Sequence, residues 1–136
     1  MKYLGIDYGT KRIGVAVSDE TGSLAFPLTT VLSGREALSQ IAALAKKNNV
    51  GEIVIGESRN FKGEPNLLME DIEQFKKDLE ELSGLPVLYQ AEFLTSAAAA
   101  RQYESSEKTR KEPPSQEKLD AAAAALILQS FLDKKR

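Results

Sequence analysis

The sequence predicts an α/β protein built on a mixed five-stranded sheet, with three antiparallel strands followed by parallel ones and helices on both faces. Two observations lead to this prediction. Short apolar segments separated by turn residues fill the first thirty positions, and beyond them apolar runs alternate with stretches of helical periodicity. Such an order is typical of a mixed sheet covered on both sides. The length of 136 residues suits one domain spanning residues 1–136.

The initial meander is predicted from three apolar segments and two turns. The strands are expected at residues 3–7, 12–18 and 24–31, and the turns at residues 8–11 and 19–22. Ser33 to Glu36 then has the form of a capping box, and Leu38, Ile41 and Ala45 follow at helical spacing. We therefore expect a first helix that begins after Ser33 and ends near Asn49.

The remaining elements follow the same logic. Residues 52–56 are apolar without polar alternation, as in a central strand buried on both faces. An amphipathic helix is expected next, because one stripe recurs at helical spacing up to the stop at Gly84: Leu68, Ile72, Phe75, Leu79 and Leu82. We then expect a strand at residues 85–89, a short helix at 96–103, a polar loop at 104–116, and a last helix at about 117–132.

The composition narrows the possible chemistry. The chain has no cysteine and no histidine, which excludes disulfides, thiolate nucleophiles, imidazole bases and nearly every zinc or haem site. Any catalytic metal must therefore be held by oxygen. A formal net charge of −2 argues against coating nucleic acid through bulk positive charge. No apolar run reaches the roughly 20 residues of a membrane span, and no leader pattern is visible, so we expect a cytoplasmic protein without membrane contact.

Three acids occupy positions that favour chemistry. Asp7 and Glu92 follow predicted strands, where ligand crevices of open sheets form, and Asp120 shares a helix face with Ala124 and Ile127. Each also has an ordinary explanation: Asp7 as a turn former, Glu92 as a solvated loop residue, and Asp120 as a first-turn acid stabilised by the helix dipole. If the three converge, they suit Mg²⁺ or Mn²⁺ and metal-assisted phosphodiester hydrolysis.

Residues 5–19, Gly-Ile-Asp-Tyr-Gly-Thr-Lys-Arg-Ile-Gly-Val-Ala-Val-Ser-Asp, closely resemble the opening of the YqgF family, also called RuvX. Weaker matches follow in the family's order: residues 54–56 with Asn60 and Gly63, residues 92–96, and residues 119–123 with 126–129. The resemblance thus covers essentially the whole chain. It implies a ribonuclease H-like fold, Mg²⁺ or Mn²⁺ dependence, and Asp7, Glu92 and Asp120 as the metal-binding and catalytic acids.

The resemblance also implies a nuclease that hydrolyses phosphodiester bonds of nucleic acid. We expect a function in 5′-end maturation of precursor ribosomal RNA, with resolution of branched DNA as the alternative substrate. The chain is expected to act as a monomer or a homodimer, and a symmetric junction would favour the dimer. An actin-like or sugar-kinase-like ATPase could also use residues 7–10 as a phosphate loop, but such proteins need two lobes and this chain has room for one.

The chain departs from the family pattern at two places. The family usually has Asp-Glu-Arg-Leu-Thr where this chain has Ala91, Glu92 and Phe93 before Leu-Thr, and Gly-Leu-Pro-Leu-Asn where residues 56–60 are Gly-Glu-Ser-Arg-Asn. A non-catalytic nucleic-acid-binding or protein-binding module of the same fold therefore stays open. Glu57 is a possible fourth metal ligand, with a solvated turn residue as its alternative.

Phosphate contacts are expected from basic and amide side chains. The candidates are Arg12, Arg59, Asn60, Lys108, Arg110 and Lys111. The last three form a charge run of a kind that is often simply solvated. Binding through these residues would depend on salt concentration.

Overall fold

The computed structural model describes residues 1–58, 68–92 and 116–135, with only the backbone at residues 57, 58, 68, 91, 92, 116 and 117. The elements are β1 (Lys2–Asp7), β2 (Arg12–Ser18), β3 (Ala25–Leu32), α1 (Ala37–Lys47), β4 (Val50–Ser58), α2 (Leu68–Ser83), β5 (Val87–Glu92) and α3 (Gln116–Lys135). This order confirms the predicted succession of strands and helices. The helix expected at residues 96–103 and nearly all of the polar loop at 104–116 lie outside the described residues.

The five strands form one sheet in the order β3-β2-β1-β4-β5. Strand β2 pairs antiparallel with both β1 and β3, whereas β4 pairs parallel with both β1 and β5. The predicted mixed sheet is therefore confirmed. Because β1, β4 and β5 run in one direction, their carboxyl ends lie at the same edge of the sheet.

The two faces of the sheet bury different sets of side chains. Alternate residues such as Leu4, Ile6, Ile53 and Ile55 pack with α1 and α2. Residues of the other parity, including Tyr3, Ala16 and Val54, pack with Ala124, Ile127, Leu128 and Leu132 of α3. The period of two along each strand thus gives two apolar layers, which explains the continuous apolar runs of the central strands.

The start of α1 differs from the prediction. The helix begins at Ala37, its N-cap residue is Glu36, and no side chain caps it. The Ser33 hydroxyl instead donates a hydrogen bond of 2.7 Å to the carbonyl oxygen of Gly9. Ser33 therefore braces the turn between β1 and β2, because that turn lies within reach of its hydroxyl.

One prediction of burial and one strand boundary also change. Leu82, placed on the buried stripe of α2, is 55% exposed, one residue before the end of the helix. Strand β5 begins at Val87 and continues to Glu92, since its pairing with β4 carries the backbone past Tyr89. As predicted, Gly84 ends α2: it has a positive φ of 71°, and its N–H bonds the carbonyl oxygen of Glu80.

Among the helices that the structure describes, none combines the length and apolarity required to cross a membrane.

Candidate metal and nucleic-acid site

Asp7 and Asp120 come together around Gly14. Asp7, the last residue of β1, lies directly opposite Gly14 of β2 in the antiparallel register. A Cβ atom built on Gly14 would lie 2.0 Å from the carbonyl oxygen of Asp120. Opposed residues of an antiparallel pair place their side chains on the same face. The Asp7 carboxylate therefore lies on the α3 face of the sheet, beside the first turns of α3.

Small residues allow α3 to approach the sheet this closely. A Cβ atom on Gly5 would lie 2.7 Å from the Cβ of Leu128 and 3.0 Å from the carbonyl oxygen of Ala124. The helix contributes alanines at positions 121–125, of which the first four are buried. Glycine on the strands and alanine on the helix therefore bring the backbone of α3 against β1 and β2, and this contact positions Asp120.

Asp120 is held by a charged hydrogen bond. The Nε–H of Arg12 donates to Oδ2 of Asp120 across 2.9 Å. The side chain of Asp120 is 18% exposed and that of Arg12 is 32% exposed. The phosphate contact predicted for Arg12 stays a prediction, and the structure shows that its guanidinium is engaged with one of the predicted acids. The site thus combines two carboxylates with one permanent positive charge.

The residue after Asp7 anchors the opposite side of the turn. The ring of Tyr8 packs against that of Phe75 in α2, with centroids 5.1 Å apart. Burial raises the pKa of the Tyr8 hydroxyl above its ordinary value, and the negative charge of Asp71 raises it further. Tyr8 therefore acts as an apolar anchor that fixes the backbone on which Asp7 stands.

Glu92 and Glu57 are located by their backbones alone. Glu92 ends β5 and pairs with Ser58, while Glu57 pairs with Ala91. Strand β4 separates β5 from β1, so the two strands lie roughly 10 Å apart across the sheet, and Glu92 lies two residues beyond the level of Asp7. Both acids are near the carboxyl edge that Asp7 occupies. The other predicted contacts, Arg59, Asn60, Lys108, Arg110 and Lys111, lie outside the described residues.

The donor set fits a hard cation. Asp7 and Asp120 offer carboxylate oxygens, and the whole sequence has no histidine or cysteine to favour a softer metal. Within residues 1–58, 68–92 and 116–135, apart from side chains described by backbone alone, no group of three or more acids is clustered closely enough to hold a metal ion. The described pair would therefore supply only part of such a site, and Glu92 stays the predicted addition.

Gln90 is a buried polar residue that the sequence analysis did not single out. Its side chain is only 6% exposed, two positions before Glu92 in β5. The predicted strand ended at Tyr89, so Gln90 fell outside it. The sequence signal for Gln90 was a polar residue directly after an apolar run, because an amide that continues a buried strand normally makes hydrogen bonds.

Curated proteins match this chain over almost its full length. A protein of Syntrophus aciditrophicus with the provisional name pre-16S rRNA nuclease is 40% identical over 135 residues, which cover 98% of this chain and 89% of that protein. A protein of Bacillus cereus with the same provisional name is 39% identical, with 99% of this chain and all of that protein covered.

Solved structures agree on the fold. Thermus thermophilus RuvC in complex with a Holliday junction substrate superposes with a TM-score of 0.59 at 16% identity, over 99% of this chain and 96% of that one. The fowlpox virus Holliday junction resolvase gives a TM-score of 0.55 at 16% identity, over 98% and 99% of the two chains. These likenesses confirm the expected ribonuclease H-like fold.

A family model also matches almost the whole sequence. The model described as "RuvX: Holliday junction resolvase" matches residues 1–134. Together with relatives near 40% identity over the whole length, this match identifies the family. This chain belongs to the RuvX family.

Proposed function

We propose that this protein is a metal-dependent nuclease that hydrolyses phosphodiester bonds during 5′-end maturation of precursor ribosomal RNA. The observation that carries the proposal is the meeting of Asp7 and Asp120 around Gly14 at the carboxyl edge of the sheet. The provisional name of the curated relatives supports the RNA substrate. Such a function would place the protein in the cytoplasm, where ribosomes are assembled.

Asp7, Asp120 and Glu92 would hold Mg²⁺ or Mn²⁺. When bound, such an ion activates water for attack and stabilises the charge on the leaving oxygen. Asp7 and Asp120 supply carboxylates from a strand end and a helix, and both elements are fixed by buried packing. Glu92 occupies the same parity along β5 as Gln90, which suits a third ligand at that edge.

Glu57 has weaker support as a fourth ligand. It has the same parity in β4 as Ile53 and Ile55, whose side chains pack on the α1 and α2 face. Asp7 lies on the other face. Metal titration of Glu57→Gln tests this ligand: unchanged Mn²⁺ affinity would remove Glu57 from the site, and weaker affinity would add it.

We also propose contacts to the nucleic acid from the two segments of sequence that follow β4 and β5. Arg59 and Asn60 come directly after β4, and Lys108, Arg110 and Lys111 lie between β5 and α3. Strands β4 and β5, which precede these two segments, end at the same edge of the sheet as β1. Alanine at these positions should weaken RNA binding and reduce its dependence on salt concentration.

Branched DNA is the second candidate substrate. The description of the family model and the solved resolvases with the same fold favour it. A symmetric four-way junction would call for two copies of the site, so this alternative predicts a dimer on the substrate. The substitutions to Ala91 and Phe93 favour a third possibility, a member that binds nucleic acid without cleaving it.

One experiment separates these functions. The protein is incubated with Mn²⁺ and precursor ribosomal RNA, a four-way DNA junction or a linear duplex, and the products are resolved on denaturing gels. We expect cleavage of the RNA, and a loss of roughly 100-fold or more in Asp7→Asn. Asp78→Asn, which removes an acid from α2, is the matched control and should cleave normally. Full activity of Asp7→Asn would refute the mechanism, and binding without cleavage would select the non-catalytic module.

A further inference from the structure

We propose that Arg12 serves the site in two ways at once: its Nε–H orients the Asp120 carboxylate for the metal, and its two terminal amino groups bind a phosphate of the nucleic acid. This inference rests on the proposed function and adds a positioning residue to it. It joins two predictions, a phosphate contact at Arg12 and a metal ligand at Asp120, through one side chain.

The first support is the atom that Arg12 uses. The contact with Asp120 is made by Nε, at 2.9 Å, between residues 108 positions apart in sequence. Within the part of the chain that the structure describes, Nε carries all the hydrogen bonding found for this guanidinium. A guanidinium has five N–H donors in a rigid plane. Orienting Asp120 therefore takes one donor and leaves the planar pair of amino groups for another anion.

The second support is the exposure of the pair. The Asp120 side chain is 18% exposed, and the Arg12 side chain is 32% exposed. The carboxylate thus lies deeper than the guanidinium that binds it. A metal-ligating carboxylate is commonly oriented by an outer hydrogen bond, and Arg is the side chain best shaped to bind a phosphate with two parallel N–H bonds.

The third support is the place of Arg12 in the sheet. Arg12 precedes Gly14 by two residues in β2, so both lie on the α3 face. Asp7 is opposite Gly14, and the Asp120 backbone lies against it. Arg12 is therefore next to both acids. A phosphate bound to its amino groups would lie close to the proposed metal ligands.

An ordinary surface ion pair is the alternative explanation for this contact. Partly exposed ion pairs contribute little to folding stability. In that case, changing Arg12 would alter stability slightly and leave metal binding unchanged. The proposal instead predicts that two different substitutions separate the two functions of the side chain.

Lysine and glutamine make this separation because of their atoms. Lysine places a carbon, Cε, where arginine has Nε, so Arg12→Lys keeps the positive charge, one bond farther out on Nζ, and loses the donor at the position that bonds Asp120. Glutamine places its amide nitrogen Nε2 at the same position, so Arg12→Gln keeps a donor to Asp120 and loses both the charge and the pair of amino groups. Neither change alters the backbone of β2.

Two binding measurements test the proposal without catalysis. Mn²⁺ affinity is measured by calorimetry without nucleic acid, and the affinity for a labelled RNA stem is measured in EDTA over a range of salt concentrations. We expect Arg12→Lys to bind Mn²⁺ about tenfold more weakly and to keep the salt slope. We expect Arg12→Gln to bind Mn²⁺ no more weakly than the unchanged protein and to reduce the salt slope by about one.

The kinetic parameters give an independent readout. We expect Arg12→Lys to lower kcat with little change in KM, and Arg12→Gln to raise KM more than it lowers kcat. Unchanged Mn²⁺ affinity in Arg12→Lys would overturn the positioning function, and an unchanged salt slope in Arg12→Gln would overturn the phosphate contact. Thermal unfolding of both variants confirms that each is folded.

The two proposals fail in different ways. Full activity of Asp7→Asn refutes the nuclease mechanism whatever Arg12 does. An inactive Asp7→Asn together with unchanged metal and RNA binding in both Arg12 variants would refute the dual function of Arg12 alone.

Discussion

The side chain of Asp19 stabilises the turn between β2 and β3 through hydrogen bonds. Its Oδ1 accepts hydrogen bonds from the backbone N–H groups of Ser23 and Leu24 at 2.8 and 3.3 Å, and its Oδ2 accepts one from the Thr21 hydroxyl at 3.0 Å. The bond from Ser23 is the main cause that lowers the pKa of Asp19 below its ordinary 3.8. The ionised carboxylate therefore stabilises the turn between β2 and β3.

This pKa shift predicts how stability changes with pH. A lowered pKa in the folded state gives stabilisation that is complete above the ordinary pKa of 3.8 and is lost as the pH falls through the lowered value. We expect Asp19→Asn to reduce the free energy of unfolding at about pH 7, and the difference from the unchanged protein to shrink as the pH falls below the ordinary pKa of 3.8. Urea denaturation at several pH values measures this difference.

Glu20→Gln is the matched control, because it removes the same charge one residue away from these hydrogen bonds. Its effect at neutral pH should be smaller than that of Asp19→Asn. An equal loss of stability in both variants would assign the effect to net charge and contradict the hydrogen-bond explanation.

At the scale of elements, the contact between α3 and the first two strands determines the site. The helix lies so close to the sheet that a Cβ atom on Gly14 would overlap the carbonyl oxygen of Asp120. Buried alanines line this side of the helix, and apolar residues farther along α3 complete the layer. The distance between helix and sheet therefore depends on the smallest residues in the sequence.

Gly14→Ala tests this contact. The added methyl group would meet backbone 2.0 Å away, so the first turns of α3 must move. We expect a loss of about 1–3 kcal/mol in the free energy of unfolding and weaker Mn²⁺ binding, because Asp120 moves with the helix. Chemical denaturation and calorimetry measure the two effects.

Gly51→Ala in β4 is the control for the same change in another strand. Its methyl group would meet the Met1 side chain, whose Sδ is 2.5 Å away and can rotate aside. We expect a change of less than about 1 kcal/mol and normal metal affinity. Equal effects at the two glycines would contradict the importance of the α3 contact.

At the scale of the whole molecule, the last helix is tied to the edge strand of the sheet. The Oε1 of Gln129 in α3 accepts a hydrogen bond from the N–H of Ala25, and its Nε2 donates to the carbonyl oxygen of Ser23, at 2.9 and 3.0 Å. These bonds join residues more than 100 positions apart. They fix the start of β3 against the helix that carries Asp120.

Gln129→Ala should loosen this connection. The change removes one hydrogen bond from a backbone donor and one from a backbone acceptor, which we expect to cost about 1–3 kcal/mol of unfolding free energy. Amide hydrogen exchange at Ala25 should become faster. Gln74→Ala in α2, where the amide donates a hydrogen bond to Asp78 one turn away, is the control and should cost less than about 0.5 kcal/mol. Unchanged amide exchange at Ala25 would show that the two hydrogen bonds of Gln129 do not stabilise the start of β3.

The described elements of the fold were predictable because their signals are local. Short apolar segments between turn residues mark the strands, and helical spacing marks α2, whose stop at Gly84 was also predicted. The capping box at Ser33 was wrong because the hydroxyl is used by a turn that is distant in sequence. Leu82 was misplaced because periodicity does not show which turns of a helix other elements cover, and the last turn of α2 leaves it exposed.

The sequence by itself determined the order of the described elements, the mixed sheet, and, through the absence of histidine and cysteine, that any bound metal would be held by oxygen. Only the tertiary structure decided that Asp7 and Asp120 meet around Gly14 and that Arg12 bonds Asp120 through Nε. The physical reason is the separation along the chain of the residues that interact. Strands and helices are predicted from patterns among neighbouring residues, whereas these contacts join segments about a hundred positions apart. They form because glycine and alanine let α3 pack directly on the sheet.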